Sequence, residues 1–177
     1  MQLKRIAPLL GLLVISSTAL LAIPAVAEDD PNSPAIKVRW EFEGKDKPMF
    51  GVTNGWKSLK VISGSFVGEV GKIDPFSMVY PSKTSCDDVP VLKFRLLCDG
   101  FKQMKFYFAT GASPNLDEAK TVAIAVVDDM DWHEYSVDMF SNELWAGPLK
   151  ILRFDPEPSD CVGATLELDY IRLCAAE

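Results

Sequence analysis

From residue 37 onwards, apolar and polar residues alternate in short runs separated by turn-forming residues. Alternation with a period of two is typical of strands with one buried face, because successive side chains point to opposite sides. The runs predict ten strands, at residues 38–43, 59–62, 65–69, 77–80, 91–97, 102–110, 121–127, 134–139, 149–155 and 165–173. No segment has a convincing helical period. We therefore expect an all-β domain of two packed sheets or a barrel.

Three of these runs show which side chains face the core. The inward sets are Leu92, Phe94 and Leu96, then Met104, Phe106 and Phe108, then Tyr135, Val137 and Met139. The intervening outward positions are mostly polar and include Lys93, Arg95, Lys105 and Tyr107. Strands with one apolar and one polar face favour an antiparallel sandwich whose outer faces meet water.

The first residues of the chain have a different pattern. Lys4 and Arg5 precede an apolar stretch, residues 9–23, that is short for a membrane crossing, and Ala25-Val26-Ala27 supplies the small residues of a cleavage site. The predicted organisation is a signal peptide at 1–27, a flexible leader at 28–36 and a single β-sandwich domain at 37–177. Export predicts a secreted or periplasmic protein in a compartment that permits disulfides.

Charge limits the partners. The chain has 25 Asp and Glu residues against 18 Lys and Arg, and cleavage of the signal peptide removes Lys4 and Arg5, which leaves 16 against 25, a net charge of −9. This sign repels nucleic acid and anionic membrane surfaces. We therefore expect no nucleic-acid partner and no membrane partner after cleavage, and composition identifies no protein partner.

Both ends of the domain carry ordered motifs. The sequence reads RWEFEG at 39–44, GW at 55–56, LWAGPLKILRFDP at 144–156 and LDYIRL at 168–173. This order resembles the jelly-roll, galactose-binding-like carbohydrate-binding modules that accompany secreted bacterial glycoside hydrolases. The resemblance runs from residue 40 to residue 173, and it implies a two-sheet antiparallel β-sandwich that binds sugar. The four cysteines are not part of the family pattern, and we expect no catalytic domain beside the module, unlike the usual arrangement in the family.

The resemblance also implies a metal site. Related modules often bind a structural calcium ion where the first and last strands meet, with one acid from each strand. The matching positions are Glu43 and Asp169. Calcium prefers carboxylate and carbonyl oxygens, so two acids with loop carbonyls would suit it. The alternative is that both are ordinary surface acids.

A sugar site in such a module stacks an exposed aromatic ring on the pyranose and hydrogen-bonds its hydroxyls. The residues predicted for carbohydrate binding are Tyr107, Trp132 and Arg95. Trp132 lies in a polar turn, whereas Trp40, Trp56 and Trp145 are expected in the core. Arg153 and Asp155 are two residues apart, so both point outward from one strand. They could belong to the polar sugar-binding surface, or they could form an internal ion pair with each other.

Catalysis has little support in the sequence. His133 is the only histidine, so a serine or cysteine hydrolase would need it as the base, and no G-x-S-x-G or H-E-x-x-H motif is present. We therefore expect a secreted, non-catalytic protein that binds a poly- or oligosaccharide. The alternative is a secreted structural or protein-interaction β-sandwich with no sugar site.

Strand length restricts the disulfides. If residues 165–173 form one strand, Cys174 lies roughly 30 Å from Thr165. The four steps from Thr165 back to Cys161 recover at most about 14 Å, and a disulfide needs Cα atoms within about 7 Å. Of three possible pairings, the one containing Cys161–Cys174 therefore drops out. We favour Cys86–Cys174 with Cys98–Cys161, which requires the strands at 91–97 and 165–173 to be antiparallel neighbours.

Overall fold

Burial alternates along the strands as the sequence pattern predicts. The structure is a computed structural model and describes residues 33, 35–43 and 50–176. These residues form eleven strands: β1 (Ile36–Glu41), β2 (Val52–Asn54), β3 (Trp56–Ile62), β4 (Ser65–Val70), β5 (Phe76–Val79), β6 (Val91–Asp99), β7 (Gln103–Thr110), β8 (Thr121–Ala125), β9 (His133–Asp138), β10 (Leu149–Glu157) and β11 (Thr165–Cys174). Three short 3-10 helices, at Cys86–Asp88, Glu118–Lys120 and Met139–Ser141, complete the described secondary structure.

The strands form two antiparallel sheets. Sheet I has the order β3-β4-β11-β6-β9, with β1 also paired to β11. Sheet II has the order β2-β5-β10-β7-β8. Their inner faces share one apolar core, which confirms the predicted two-sheet antiparallel β-sandwich.

Strand β11 joins the two ends of the domain. One edge pairs with β6 from Thr165 opposite Asp99 to Cys174 opposite Val91. The other edge is shared, because its first half pairs with β4 and its second half pairs with β1. A strand hydrogen-bonded on both edges leaves few backbone groups unpaired, so β11 is the most extensively paired strand of sheet I.

The inward residues follow the predicted parity. Leu92, Phe94 and Leu96 are buried on β6, and Met104, Phe106 and Phe108 are buried on β7. On β9, Val137 is buried, and half-buried Tyr135 stacks on Phe94 with ring centroids 4.8 Å apart. Trp40 and Trp145 are buried as expected, and Trp56 packs against the core while half-buried. Period-two alternation therefore identified the core side of these strands correctly.

Several strand boundaries differ from the prediction. Strand β2 was not predicted, because its three residues are all exposed at the edge of sheet II and show no apolar alternation. Strand β1 begins at Ile36, inside the predicted leader, and β8 ends at Ala125 rather than at Val127. The predicted signal peptide and most of the leader lie outside the described residues. Among the described residues, no helix has the length and apolarity that a membrane crossing needs.

The strand arrangement that the favoured disulfide pairing requires is present. Strands β6 and β11 are antiparallel neighbours, and all four cysteines are buried. Within residues 50–176, which contain them all, the structure holds no disulfide bond. Burial raises the pKa of Cys86 and of Cys98 to about 12, so neither thiol ionises readily at neutral pH. The pairing of Cys86 with Cys174 and of Cys98 with Cys161 stays a prediction.

Trp145 anchors the core at the end of the sandwich where β10 begins. Its indole Nε1 donates to the carbonyl of Cys86 at 3.0 Å, and its ring meets Phe108 edge-on with centroids 4.9 Å apart. Trp145→Ala is expected to lower the free energy of unfolding by about 3 to 5 kcal/mol, because removing a large buried ring leaves a cavity in the core. Chemical denaturation measures this. Phe140→Ala is the matched control, since that ring is 50% exposed, and an equal loss in both variants would contradict the assignment.

Candidate functional site

The outer face of sheet II carries a group of aromatic and charged side chains that we call the Arg153 cluster. It consists of Asp74, Phe76, Lys105, Tyr107, Glu118, Arg153, Asp155 and Glu157. Strands β5, β10 and β7 are neighbours, and Arg153 on the middle strand lies opposite Met78 on one side and Tyr107 on the other. Outward parity on three adjacent strands therefore brings these side chains onto one surface.

Arg153 lies at the centre of the cluster. Its guanidinium carbon is 4.0 Å from the ring centroid of Phe76 and 5.0 Å from that of Tyr107, both within cation–π range. The guanidinium also forms an ion pair with Asp155, where Nε donates at 2.8 Å, and Nη2 donates to Asp74 at 2.9 Å. The ion pair that was one of the two alternatives for Arg153 and Asp155 is therefore present, within the outer face of the sheet. It lies on a central strand of sheet II.

A second network extends from Tyr107. Its hydroxyl donates to Glu118 at 2.5 Å, and Lys105 donates to that hydroxyl at 3.3 Å. The ammonium of Lys105 also lies 3.2 Å from Glu118 and 3.3 Å from Glu157. The 3-10 helix after β7 positions Glu118, because Asp117 caps it by accepting from the backbone amide of Ala119. The Tyr107 hydroxyl, the Lys105 ammonium and the Glu118 carboxylate therefore hold one another in place.

The cluster continues into a cavity at one end of sheet II. This cavity has a volume of about 540 Å³, and its lining includes Gln103, Asp128 and Glu157. Glu157 belongs to both the cavity and the cluster through its contact with Lys105. A surface that joins aromatic rings to a polar recess has the mixture of groups that small-molecule sites use.

Burial changes the electrostatics of the cluster. It raises the pKa of Asp155 to about 6, although the guanidinium of Arg153 acts in the opposite direction. The hydrogen bonds from Tyr107 and Lys105 lower the pKa of Glu118, so this carboxylate stays ionised. Burial raises the pKa of Tyr107, whose hydroxyl therefore remains a hydrogen-bond donor at neutral pH.

The three residues predicted to bind carbohydrate do not share one surface. Tyr107 is on sheet II and is only 9% exposed. Arg95 is on β6 of sheet I, where its guanidinium carbon lies 4.9 Å from the ring centroid of half-buried Trp132. Sequence parity showed that Arg95 and Tyr107 point outward, but the two strands belong to different sheets. Arg95 and Trp132 therefore form a pair, separate from Tyr107.

The predicted calcium ligands also occupy different environments. Asp169 accepts a hydrogen bond from Arg95 at 2.8 Å, so its carboxylate already has a cationic partner. Glu43 is exposed just after β1. Within residues 33, 35–43 and 50–176, no group of three or more acidic, histidine or cysteine side chains could hold a metal ion. A shell of two acids with loop carbonyls is a different kind of site, so the calcium ion stays a prediction.

A calcium site would be detected by its effect on stability. If Glu43 and Asp169 bind the ion, chelation lowers the melting temperature and Glu43→Gln removes that effect, since a ligand bound only by the folded state stabilises it. A melting temperature that chelation does not change would instead leave Glu43 as an ordinary surface acid and Asp169 as the ion-pair partner of Arg95. Thermal melts of the protein with added calcium and with chelator decide between the two results.

His133 contacts a carboxylate. Its imidazole Nε2 lies 3.0 Å from a carboxylate oxygen of Asp129 in the turn before β9. The base of a serine or cysteine hydrolase would also contact a hydroxyl or a thiol through its other ring nitrogen, and the contacts of His133 among the described residues include no such group. The contact matches a histidine that holds a turn together.

Sequence reasoning missed three residues of interest. Phe76 was placed outside the predicted strand 77–80, and Glu118 lies in a segment that had no predicted element. Tyr80 follows β5 and is 51% exposed, with its ring against Gly51, where a Cβ would lie 2.0 Å from the ring. The Asp-Pro pair before Phe76 and the proline after Tyr80 are turn signals that mark both aromatic residues as strand-end positions.

Comparison with known proteins gives information on the fold. No protein-family model and no curated protein matches the chain. Among solved structures, a low-affinity xylan-binding module, CBM86, from Roseburia intestinalis matches with a TM-score of 0.53 and 11% identity over 78% of this chain and 95% of that one. The fold is that of carbohydrate-binding modules. A family 29 carbohydrate-binding module complexed with mannohexaose matches with a TM-score of 0.51 and 13% identity, over 77% of this chain and 90% of that one.

The buried carboxyl of Asp155 should titrate in an unusual range. Its pKa of about 6 lies above the unfolded-state value of 3.8, so its contribution to stability is complete below about pH 4 and is lost as the pH rises through 6. Carbon-detected NMR titration should give a midpoint near 6 for this carboxyl. Asp155→Asn should remove the corresponding slope from the pH dependence of the unfolding free energy. A midpoint at or below about 4 would contradict the burial argument.

Proposed function

We propose that the chain binds a poly- or oligosaccharide without turning it over, and that the Arg153 cluster is the binding surface. The observation that carries the proposal is the position of Arg153, held between the rings of Phe76 and Tyr107 and oriented by two carboxylates. The charged groups are already fixed in the free protein. A ligand that binds them therefore loses little free energy to ordering the site.

The chemistry of the cluster suits a neutral sugar. Sugar hydroxyls both donate and accept, so they can pair with carboxylates such as Glu118 and with cations such as Lys105. The C–H face of a pyranose is apolar and packs on an aromatic ring, for which half-buried Phe76 is the more accessible of the two cluster rings. The cavity beyond Glu157 gives room for a further sugar unit.

The comparisons support this proposal at the level of the fold. Structural neighbours with this sandwich are carbohydrate-binding modules, and two of them are named with xylan and with mannohexaose. Fold alone does not determine function, so the argument depends on the cluster. The predicted export signal is consistent with a protein that meets polysaccharides outside the cytoplasm.

The second candidate is a structural or protein-interaction domain. The observation that favours it is the burial of Tyr107, because a ring that is 9% exposed offers little area for stacking on a sugar. Such a domain would bind no saccharide, and substitutions in the cluster would change only its stability. Direct binding measurements separate the two candidates.

Calorimetry with xylohexaose and mannohexaose tests the proposal. Stacking of one ring and a few hydrogen bonds that compete with water lead us to expect dissociation constants in the rough range of micromolar to millimolar. Phe76→Ala and Glu118→Gln should each weaken binding about tenfold, because each removes one contact worth about 1.4 kcal/mol.

The matched control is Trp132→Ala on sheet I, which should change the affinity less than about twofold. If Trp132→Ala abolishes binding while the cluster variants retain it, the site is the Arg95–Trp132 pair instead. Absence of binding to both saccharides would favour the protein-interaction candidate. Thermal melts of each variant show whether a loss reflects the site or unfolding.

A further inference from the structure

A second polar cavity lies between β1 and the loop that follows β5. It has a volume of about 740 Å³, and its lining includes Lys37 and Arg39 from β1 and Lys83 from the loop. Val38, Val89 and Ala175 are the apolar part of the lining, and Asp88 is the acidic residue in it. Arg39 and Lys83 against Asp88 leave this lining with more cations than acids, in a chain whose net charge is −7.

Cations continue from this cavity across sheet I. Arg39 on β1 lies opposite Arg172 on β11, which lies opposite Lys93 on β6. Residues directly opposite in antiparallel strands have Cβ atoms about 4.5 to 5.5 Å apart, and like charges at that distance destabilise the sheet. Glu41 already supplies a carboxylate to Arg172 in the middle of the row, and Arg39 is the member of the row that lines the cavity.

Arg172 has an unused donor in this row. The residue is 5% exposed, and its Nε and Nη2 donate to Glu41 at 3.1 and 3.0 Å. In the described part of the chain, its Nη1 is buried without a hydrogen-bond partner. An unpaired donor on a buried charged group costs free energy, but Arg172 does not line the cavity, so this donor is no part of the recess.

A neighbouring cavity extends the positive region. It has a volume of about 360 Å³ and shares Ser82, Lys83, Thr84 and Ser85 with the first cavity, while Lys150 of β10 joins its lining. Across residues 33, 35–43 and 50–176, no carboxylate lies within 4 Å of the charged groups of Arg39, Lys83 or Lys150. Among the described residues these three cations therefore have no acidic partner, and hydroxyl groups of the loop lie beside them.

We infer that this basic recess binds the carboxylate of an acidic saccharide, a glycan chain that carries uronic acid units. The inference rests on the proposed saccharide binding and gives it a second, charge-selective contact. Arginine pairs with a carboxylate through two parallel hydrogen bonds, whereas lysine acts as a point charge that draws the anion in. The loop hydroxyls of Ser82 and Thr84 would accept or donate to the neighbouring sugar hydroxyls.

The test compares tetragalacturonate with xylohexaose by calorimetry on the purified protein. Tetragalacturonate should bind at least fivefold more tightly at low ionic strength, and this advantage should shrink as salt screens the charges, while xylohexaose affinity should not change. Arg39→Ala combined with Lys83→Ala should weaken tetragalacturonate binding about tenfold. Lys60→Ala combined with Lys72→Ala is the matched control, since both lysines are exposed away from the recess and the charge change is the same.

Each result decides a separate question. An equal loss of tetragalacturonate affinity in the control variant would overturn the proposal that the recess binds carboxylates. The absence of any preference for tetragalacturonate over xylohexaose would also overturn it. Tighter binding of a sulfated oligosaccharide with no binding of tetragalacturonate would overturn its assignment to carboxylates. Phe76→Ala should weaken xylohexaose binding and leave the salt-dependent advantage of tetragalacturonate in place. If tetragalacturonate binds but no neutral saccharide does, the proposal that the Arg153 cluster binds saccharides fails, and the proposal that the recess binds carboxylates is supported.

Discussion

The pairing of β11 on both of its edges determines the arrangement of sheet I. This strand hydrogen-bonds to β6 along its whole length and divides its other edge between β4 and β1. The beginning of the domain, its middle and its end are therefore held in one register. That register places Arg39, Arg172 and Lys93 side by side, and it brings Asp169 next to Arg95. A shift by one residue would turn each of these side chains into the core.

Sheet II contains a different constraint, the burial of charge. Arg153 and Asp155 form an ion pair that is largely removed from water, and the cost of desolvating such a pair commonly equals or exceeds its attraction. Replacement of such a pair by apolar residues of similar size is often neutral or stabilising in proteins. The cluster adds two aromatic rings and the Lys105, Tyr107 and Glu118 network to this pair. A surface with so many fixed polar groups is better explained by recognition than by folding.

Period-two alternation was sufficient to predict the fold class and most of the core, because one face of each long strand is buried. It could not assign strands to sheets, since alternation along a strand contains no information about its neighbours. Arg95 and Tyr107 were therefore placed together, although they lie on different sheets. Strand β2 and the 3-10 helix that positions Glu118 were missed for a related reason: exposed short segments have no apolar period. The motifs at the two ends of the domain compensated in part, because they indicated the sandwich.

The central claim is that sheet II, rather than sheet I, presents the saccharide-binding surface. Titration of the isotope-labelled protein with mannohexaose, followed by backbone amide NMR, tests it most directly, because the amides of β5, β7 and β10 lie beneath the Arg153 cluster. The account predicts saturable shift changes concentrated on these three strands, with β6 and β9 unaffected. Changes confined to the amides around Arg95 and Trp132, or no changes at any saccharide concentration, would contradict it.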